Sequence, residues 1–263
     1  MPFLRWPRRS SPRLPAAPAY RGPAGRRLYA VGDIHGRADL LDLVLDAIEA
    51  DADAARRRGL AATAIFLGDY VDRGPDSRGV LTRLSGLKPH VVEWRFLEGN
   101  HEAAMMGFIE APHLYEVWLD YGGDATLDSY GVAPVGELAG MAEGLRKALP
   151  ADHRAFLGRL DLSLGFGEYF FAHAGIRPGV DLDAQSAQDL LYIREPFLSS
   201  TAHHPGRVVH GHTITAEPEI RPSRIGIDTG AYASGRLTCL VVDEEKTRLF
   251  TTRPDLSGVE WLS

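Results

Sequence analysis

Five short polar turns, each following an apolar run, carry most of the chemistry-capable residues in this 263-residue chain. Gly32-Asp33-Ile34-His35-Gly36 follows residues 28–31, Gly68-Asp69 follows 64–67, and Gly99-Asn100-His101-Glu102 follows 91–97. Further along, His173-Ala174-Gly175 follows 169–172, and His210-Gly211-His212-Thr213 follows 207–209. A lone Asp or His in such a turn is ordinary, because short polar side chains bond their own backbone there. Five such turns, each directly behind an apolar strand, point to one converging site. Asp33, His35, Asp69, Asn100, His173 and His212 offer oxygen and imidazole nitrogen and no thiolate. Such donors suit manganese, iron or zinc better than copper, and are richer in histidine than a magnesium or calcium cage. Six donors exceed what one tetrahedral zinc takes. A carboxylate shared by two ions about 3.5–4 Å apart would use the surplus.

The elements that must carry these turns are legible in the apolar pattern. Leu40, Leu43, Val44, Ala47 and Ile48 recur at helical spacing and predict a helix over 39–50; Val80, Leu81, Leu84 and Leu87 predict a second. With the apolar runs between them, this is a β-α-β-α-β series. In such open sheets ligands bind beyond the carboxyl ends of the strands, so the turns should meet in space. Residues 103–160 read as mostly helical, interrupted at Tyr121-Gly122-Gly123 and over 131–134. The runs 224–228, 237–243 and 248–252 read as strands of a second sheet.

Composition narrows the class. With 44 % hydrophobic and 24 % charged residues the chain reads as globular, and its net charge of −6 argues against sequence-independent binding to nucleic acid. Cys239 is the sole cysteine, which excludes an intrachain disulfide and fits a reducing cytoplasm. It lies in an apolar run, and Leu240, Val241 and Val242 after it offer no anion-cradling loop, so cysteine-based phosphatase chemistry is set aside. No apolar stretch approaches the roughly 18 residues of a membrane span. Residues 1–27 differ from the rest, with seven arginines, no acid and repeated prolines. They read as a flexible basic tail before a single catalytic domain over 28–263. The prolines preclude an amphipathic transit helix, and the segment lacks the apolar core of a secretory signal.

Taken with Gly68-Asp69-Tyr70-Val71-Asp72-Arg73-Gly74, the five turns resemble the signature blocks of the phosphoprotein phosphatase family, a branch of the calcineurin-like metallophosphoesterases. The resemblance runs from about residue 28 to 242. It is strongest to the bacterial and phage lambda type serine/threonine phosphatases, given the short C-terminal part and Ile227-Asp228-Thr229-Gly230. It implies an α/β four-layer sandwich, two mixed β-sheets flanked by helices. It implies two divalent metal ions, manganese foremost with iron or zinc as alternatives. Asp33 and His35 would bind the first ion, Asp69 would bridge, and Asn100, His173 and His212 would bind the second. The family's ligand is the histidine after a small residue, which favours His212 over His210. A hydroxide between the ions would be the nucleophile, with no phosphoenzyme intermediate. His101 would be the general acid, Asp72 its orienting carboxylate and Arg73 the phosphoryl clamp, with Arg194 as the candidate second arginine.

The reaction class leaves the substrate open. One reading is a phosphorylated protein or peptide, at serine, threonine or tyrosine. The other is a dinucleoside polyphosphate such as diadenosine tetraphosphate. Two residues favour the first: Asp72, which nucleotide-cleaving relatives tend to lose, and Glu102 where they more often carry Asp. A metal-binding scaffold without catalysis would predict loss of His101, Asp72 or an arginine, and all are present. The aromatics of 118–130 are expected to cap the site by packing helices rather than by stacking a base.

Overall fold

Along β1 (Arg26–Val31) successive side chains alternate between two cores: Tyr29 and Val31 on one face, Leu28 and Ala30 on the other, as the pleat of a strand requires. In β2 (Ala61–Phe66), Ala64 and Phe66 join the first core and Ile65 the second. A strand buried on both faces must be a continuous apolar run, which is what the sequence shows. The crossover α1 (Ala38–Arg57) buries Leu40, Leu41, Val44 and Ile48. The next, α2 (Ser77–Gly86), is capped by Asp76, whose carboxylate accepts the Gly79 N–H at 2.7 Å. After β3 (Val92–Phe96) comes a helical stretch of α3 (Asn100–Glu110), α4 (Gly123–Ser129), α5 (Leu138–Ala148) and α6 (Ala151–Leu157). Left-handed Gly122, φ 102°, separates a 3-10 turn over Glu116–Tyr121 from α4. The chain continues through β4 (Ser163–Phe166), β5 (Tyr169–Ala172), α7 (Ala187–Tyr192), β6 (Arg207–His210), β7 (Glu219–Ile220) and β8 (Arg224–Gly226). It closes with α8 (Ala231–Ser234), β9 (Thr238–Val242), β10 (Thr247–Thr252) and β11 (Val259–Leu262). This is a computed structural model, and it describes residues 20–262 apart from His203 and Glu245.

Among the described residues the strands form two mixed sheets, in the orders β11-β10-β9-β1-β2-β3 and β4-β5-β6-β8-β7. Strands β1, β2 and β3 run parallel, as do β5, β6 and β8. Leu28, Ala30, Ile65, Phe171, Val209, Ile227 and Leu240 share the core between the sheets. Helices cover the outer faces, with Leu40, Val44 and Phe108 on one side and Leu190 and Phe197 on the other. The layers therefore run helix, sheet, sheet, helix. No described helix is long and apolar enough to cross a membrane.

Two expectations need correction. The runs 237–243 and 248–252 extend the first sheet, not the second: β9 pairs antiparallel with β1, with Ala30 opposite Leu240, and β10 pairs with β9. Both faces of β9 are buried, so its apolar run could not say which sheet it joins. The ordered domain also begins before residue 28. Tyr20 is buried against the inter-sheet core, and Arg26 and Arg27 open β1. Arg27 is held by Asp51 at 2.8 Å and Asp243 at 2.9 Å, partners far away in sequence. Residues 1–19 of the expected tail lie outside the described residues.

Candidate metal centre

The site assembles where parallel strands of both sheets end. Asp33 and His35 follow β1, Asp69 to Arg73 follow β2, Asn100 and His101 open α3 behind β3, and His173, His212 and Asp228 follow β5, β6 and β8. His35, Asp69, Asp72, Arg73 and His212 have φ between 46° and 74°, a left-handed backbone costing roughly 1–3 kcal/mol per non-glycine residue. Contacts around them hold it. The Ile34 and His35 N–H groups donate to Asp69 O at 3.0 and 2.9 Å, and the Arg73 N–H donates to Gly122 O at 3.1 Å. Glu102 is the organiser. Its carboxylate accepts from the N–H groups of Asp69 (2.8 Å), Tyr70 (2.7 Å), Val71 (3.1 Å) and Gly99 (3.0 Å). Gly99 lies so close to this loop that a Cβ there would sit 2.2 Å from the Asp69 carboxylate. Glu102→Gln would turn an amide N–H toward donors, and should cost about 2–4 kcal/mol of stability. Urea unfolding with an unchanged m-value would measure it.

Donor atoms converge in two groups that share Asp69. On one side, Asn100 Oδ1 lies 2.9 Å from His173 Nε2 and 2.8 Å from His212 Nδ1, and the two nitrogens are 3.2 Å apart. Asp69 Oδ1 is 3.4 Å from His173 Nε2. Ligands about 2.1 Å from one ion, at tetrahedral or octahedral angles, stand about 3.0–3.4 Å apart, which these separations approach. On the other side, Asp69 Oδ2 is 3.5 Å from His35 Nε2 and 3.9 Å from His101 Nε2. The two carboxylate oxygens thus face different groups. Asp33 sits behind, with Oδ2 accepting the His212 N–H at 2.9 Å. Its Oδ1 and His35 Nε2 are buried without a partner. Bare acceptors like these are what a cation would satisfy.

The imidazoles are prepared as neutral donors. A carbonyl can only accept, so His35 Nδ1–H donates to Val71 O at 2.8 Å and His173 Nδ1–H to Leu67 O at 3.0 Å. Each Nε2 lone pair is left facing the site. Burial lowers the pKa of His35 and His212 to about 3 and depresses His173 as well. His210 points elsewhere, its Nδ1 to Gly211 O and its Nε2 3.3 Å from Arg224 Nη1. The residues present fit two divalent ions.

His101 lies between this cluster and a buried carboxylate. Its Nδ1 is 2.6 Å from Asp72 Oδ2, which also accepts the Trp118 indole N–H at 2.7 Å, while Asp72 Oδ1 accepts the Thr126 hydroxyl at 2.6 Å. Burial works against a charged imidazole, but Asp69 and Asp72 together raise the His101 pKa above its ordinary value. Arg73 Nη2 is 3.0 Å from His101 Nε2, and its guanidinium lies 5.1 Å from the Tyr232 ring centre. Arg194, exposed in the loop after α7, has no such contact but lines the same cavity as Arg73, Asn100, His101 and His212. Sequence reasoning placed Trp118 and Thr126 over the site as packing but missed their hydrogen bonds to Asp72, and it missed Tyr232 and the loop-holding role of Glu102. Nothing local signals that Trp118 reaches Asp72, 46 residues away.

The cavity occupies about 780 Å³ and is lined by His101 and His212 together with Tyr115, Trp118, Tyr121 and Tyr192. Trp118 is packed as expected, at 1 % exposure, but Tyr121 is 61 % exposed and Tyr115 37 %. Tyr115 lies flat on α3 because Gly107 has no Cβ, which would otherwise stand 2.4 Å from its ring.

A fold of two stacked sheets with histidines and carboxylates gathered at their strand ends defines a class of metal-dependent phosphoesterase. Residues 26–233 match the calcineurin-like phosphoesterases, and the chain belongs to that family of hydrolases. It is 24 % identical over 242 residues to the asymmetrical bis(5'-nucleosyl)-tetraphosphatase PrpE of Bacillus velezensis, covering 82 % of this chain and 89 % of that one. It is 30 % identical over 177 residues to the symmetrical bis(5'-nucleosyl)-tetraphosphatase of Legionella pneumophila, covering 67 % of this chain and 53 % of that one. In fold it is similar to a crystal structure provisionally described as a diadenosine tetraphosphatase, with a TM-score of 0.61 and 23 % identity over 89 % of this chain and 97 % of that one.

Proposed function

We propose that the chain hydrolyses a phosphoanhydride bond of a dinucleoside polyphosphate, of which diadenosine tetraphosphate is the model compound. The cavity carries this reading. At about 780 Å³ it far exceeds a phosphoryl group, and its lining includes exposed tyrosines, a surface on which a nucleobase stacks. Arg73 and Arg194 line it as well, suited to a chain of phosphates. The tetraphosphatase relatives support the same direction.

The two residues that favoured a phosphoprotein substrate carry less weight once seen in place. Asp72 is fully buried and spends its oxygens on His101, Trp118 and Thr126. Glu102 spends its own on the loop N–H groups. Neither lines the cavity, so neither reads what the phosphate is attached to.

Two divalent ions held by the residues named above would polarise the phosphoryl group and make bound water acidic. Arg73 and Arg194 would fix the equatorial oxygens and the distal phosphates. His101, steered by Asp72, would hold a proton on the leaving-group side. Diadenosine tetraphosphate should be cleaved with at least tenfold higher kcat/KM than a phosphoserine, phosphothreonine or phosphotyrosine peptide, with products resolved by ion-exchange chromatography. Preference for a phosphopeptide would overturn the reading. Tyr115→Ala and Tyr192→Ala should each raise KM for the dinucleotide about tenfold, within the roughly 1–3 kcal/mol of a base–aromatic stack. KM for p-nitrophenyl phosphate should not move.

A further inference from the structure

The carboxylate that steers His101 is itself steered from a distant part of the chain. Asp72 and Arg73 carry left-handed backbone, with φ of 74° and 67°, a strained pair that only its surroundings can hold. Much of the hold comes from residues 118–126. Thr126 Oγ1 donates to Asp72 Oδ1 at 2.6 Å and accepts the Asp72 N–H at 2.9 Å, while Gly122 O accepts the Arg73 N–H at 3.1 Å. Trp118 makes the contact nearest the chemistry. Its indole N–H donates at 2.7 Å to Asp72 Oδ2, the same oxygen that meets His101 Nδ1 at 2.6 Å. Asp72 is fully buried and Trp118 is 1 % exposed, so solvent does not compete for that oxygen.

The indole has little freedom of its own. Its ring centre lies 4.9 Å from that of Phe108, and a Cβ on Gly123 would stand 2.4 Å from the ring. With the ring immobile, its bond to Oδ2 and the Thr126 bond to Oδ1 fix the rotation of the carboxylate. The carboxylate then sets the direction of the His101 ring, whose Nε2 faces the metal-binding cluster. Packing alone would need no N–H there, since a phenylalanine would fill most of the space.

We propose that Trp118 is a positioning residue for proton transfer: its indole N–H locks the Asp72 carboxylate in the orientation that aims His101 Nε2 at the leaving oxygen. The inference rests on His101 as the acid. In the step it serves, a water oxygen bonds to phosphorus and the bond from phosphorus to the leaving oxygen breaks. That oxygen takes the Nε2 proton, and the proton released by the water passes to solvent.

Trp118→Phe keeps a ring beside Phe108 and Gly123 and removes the N–H. In the metal-loaded full chain it should lower kcat on phenyl phosphate about tenfold, as misaimed catalytic groups do. Dinitrophenyl phosphate, whose leaving group is a weak base, should lose at least fivefold less. KM for both esters should stay within twofold of wild type, and mass spectrometry should find the same number of bound ions. A merely structural role does not distinguish leaving groups. Equal losses on the two esters, a loss of metal, or a phenyl phosphate kcat within twofold of wild type would therefore overturn the assignment. His101→Asn is measured beside it. If that variant also treats the two esters alike, the acid reading falls, and the role of Trp118 with it. Should Trp118→Phe fail to fold, replacing Trp118 by benzothienylalanine, which carries sulfur in place of the indole N–H at nearly the same size, has the same outcomes.

Discussion

His101→Asn should lower kcat on phenyl phosphate by about 10²–10⁴, the usual contribution of a positioned general acid, while the metal content stays at the wild-type level. His101 Nδ1 is committed to Asp72, so only Nε2, which faces the cluster, can serve a leaving group. The need for that proton depends on what departs. A phenoxide or alkoxide is a strong base and requires it, whereas the nucleotide released from an anhydride is a much weaker base. The same substitution should therefore cost diadenosine tetraphosphate hydrolysis clearly less than phenyl phosphate hydrolysis, and kcat measured on both substrates checks this. Metal analysis of the variant is the sharper control. His35, Asp69 and His101 present donor atoms within 4.8 Å of one another. If His101→Asn lost an ion, His101 would be a ligand and its assignment as the acid would be wrong.

The second large effect is at Asp69. Its Oδ1 faces His173 and its Oδ2 faces His35, so one side chain serves both groups of donors. Asp69→Asn puts an N–H₂ where one of those oxygens was and removes the charge common to both ions. Metal content should fall from two ions to one or none. Activity should fall with it, by about 10³ or more, because a two-ion clamp on attacking and departing oxygens is lost. Added metal at high concentration should restore only part of the rate. Retention of both ions would mean that the two groups do not share this carboxylate.

How much of this was legible depends on how local each feature is. The turns carrying Asp33, Asp69, Asn100 and His173 stand out in sequence because a buried strand is an apolar run and a tight polar turn must end it. His212 was separable from His210 only through the family resemblance, and the structure turns the two rings in different directions. The sheet joined by β9 was not legible, because a strand buried on both faces has the same composition in either sheet. Asp72 was read as the partner of His101, a contact the structure shows, but it was also read with Glu102 as a substrate marker, although neither lines the cavity. The cavity wall was read as packing, which fits Trp118 and fails for Tyr121.

The apolar layer between the sheets has a consequence for how lesions in this protein would present. Donors from one sheet meet donors from the other across that layer, so the spacing of the metal-binding residues is inherited from Ile65, Phe171, Val209, Ile227 and Leu240. Shaving a methyl or two from any of these would let the halves settle by a fraction of an ångström. The fold would tolerate that, but coordination would not. A hunt for variants that lose their metal would then turn up substitutions in greasy residues that touch no ion, and an apparent active-site defect would trace to the joinery.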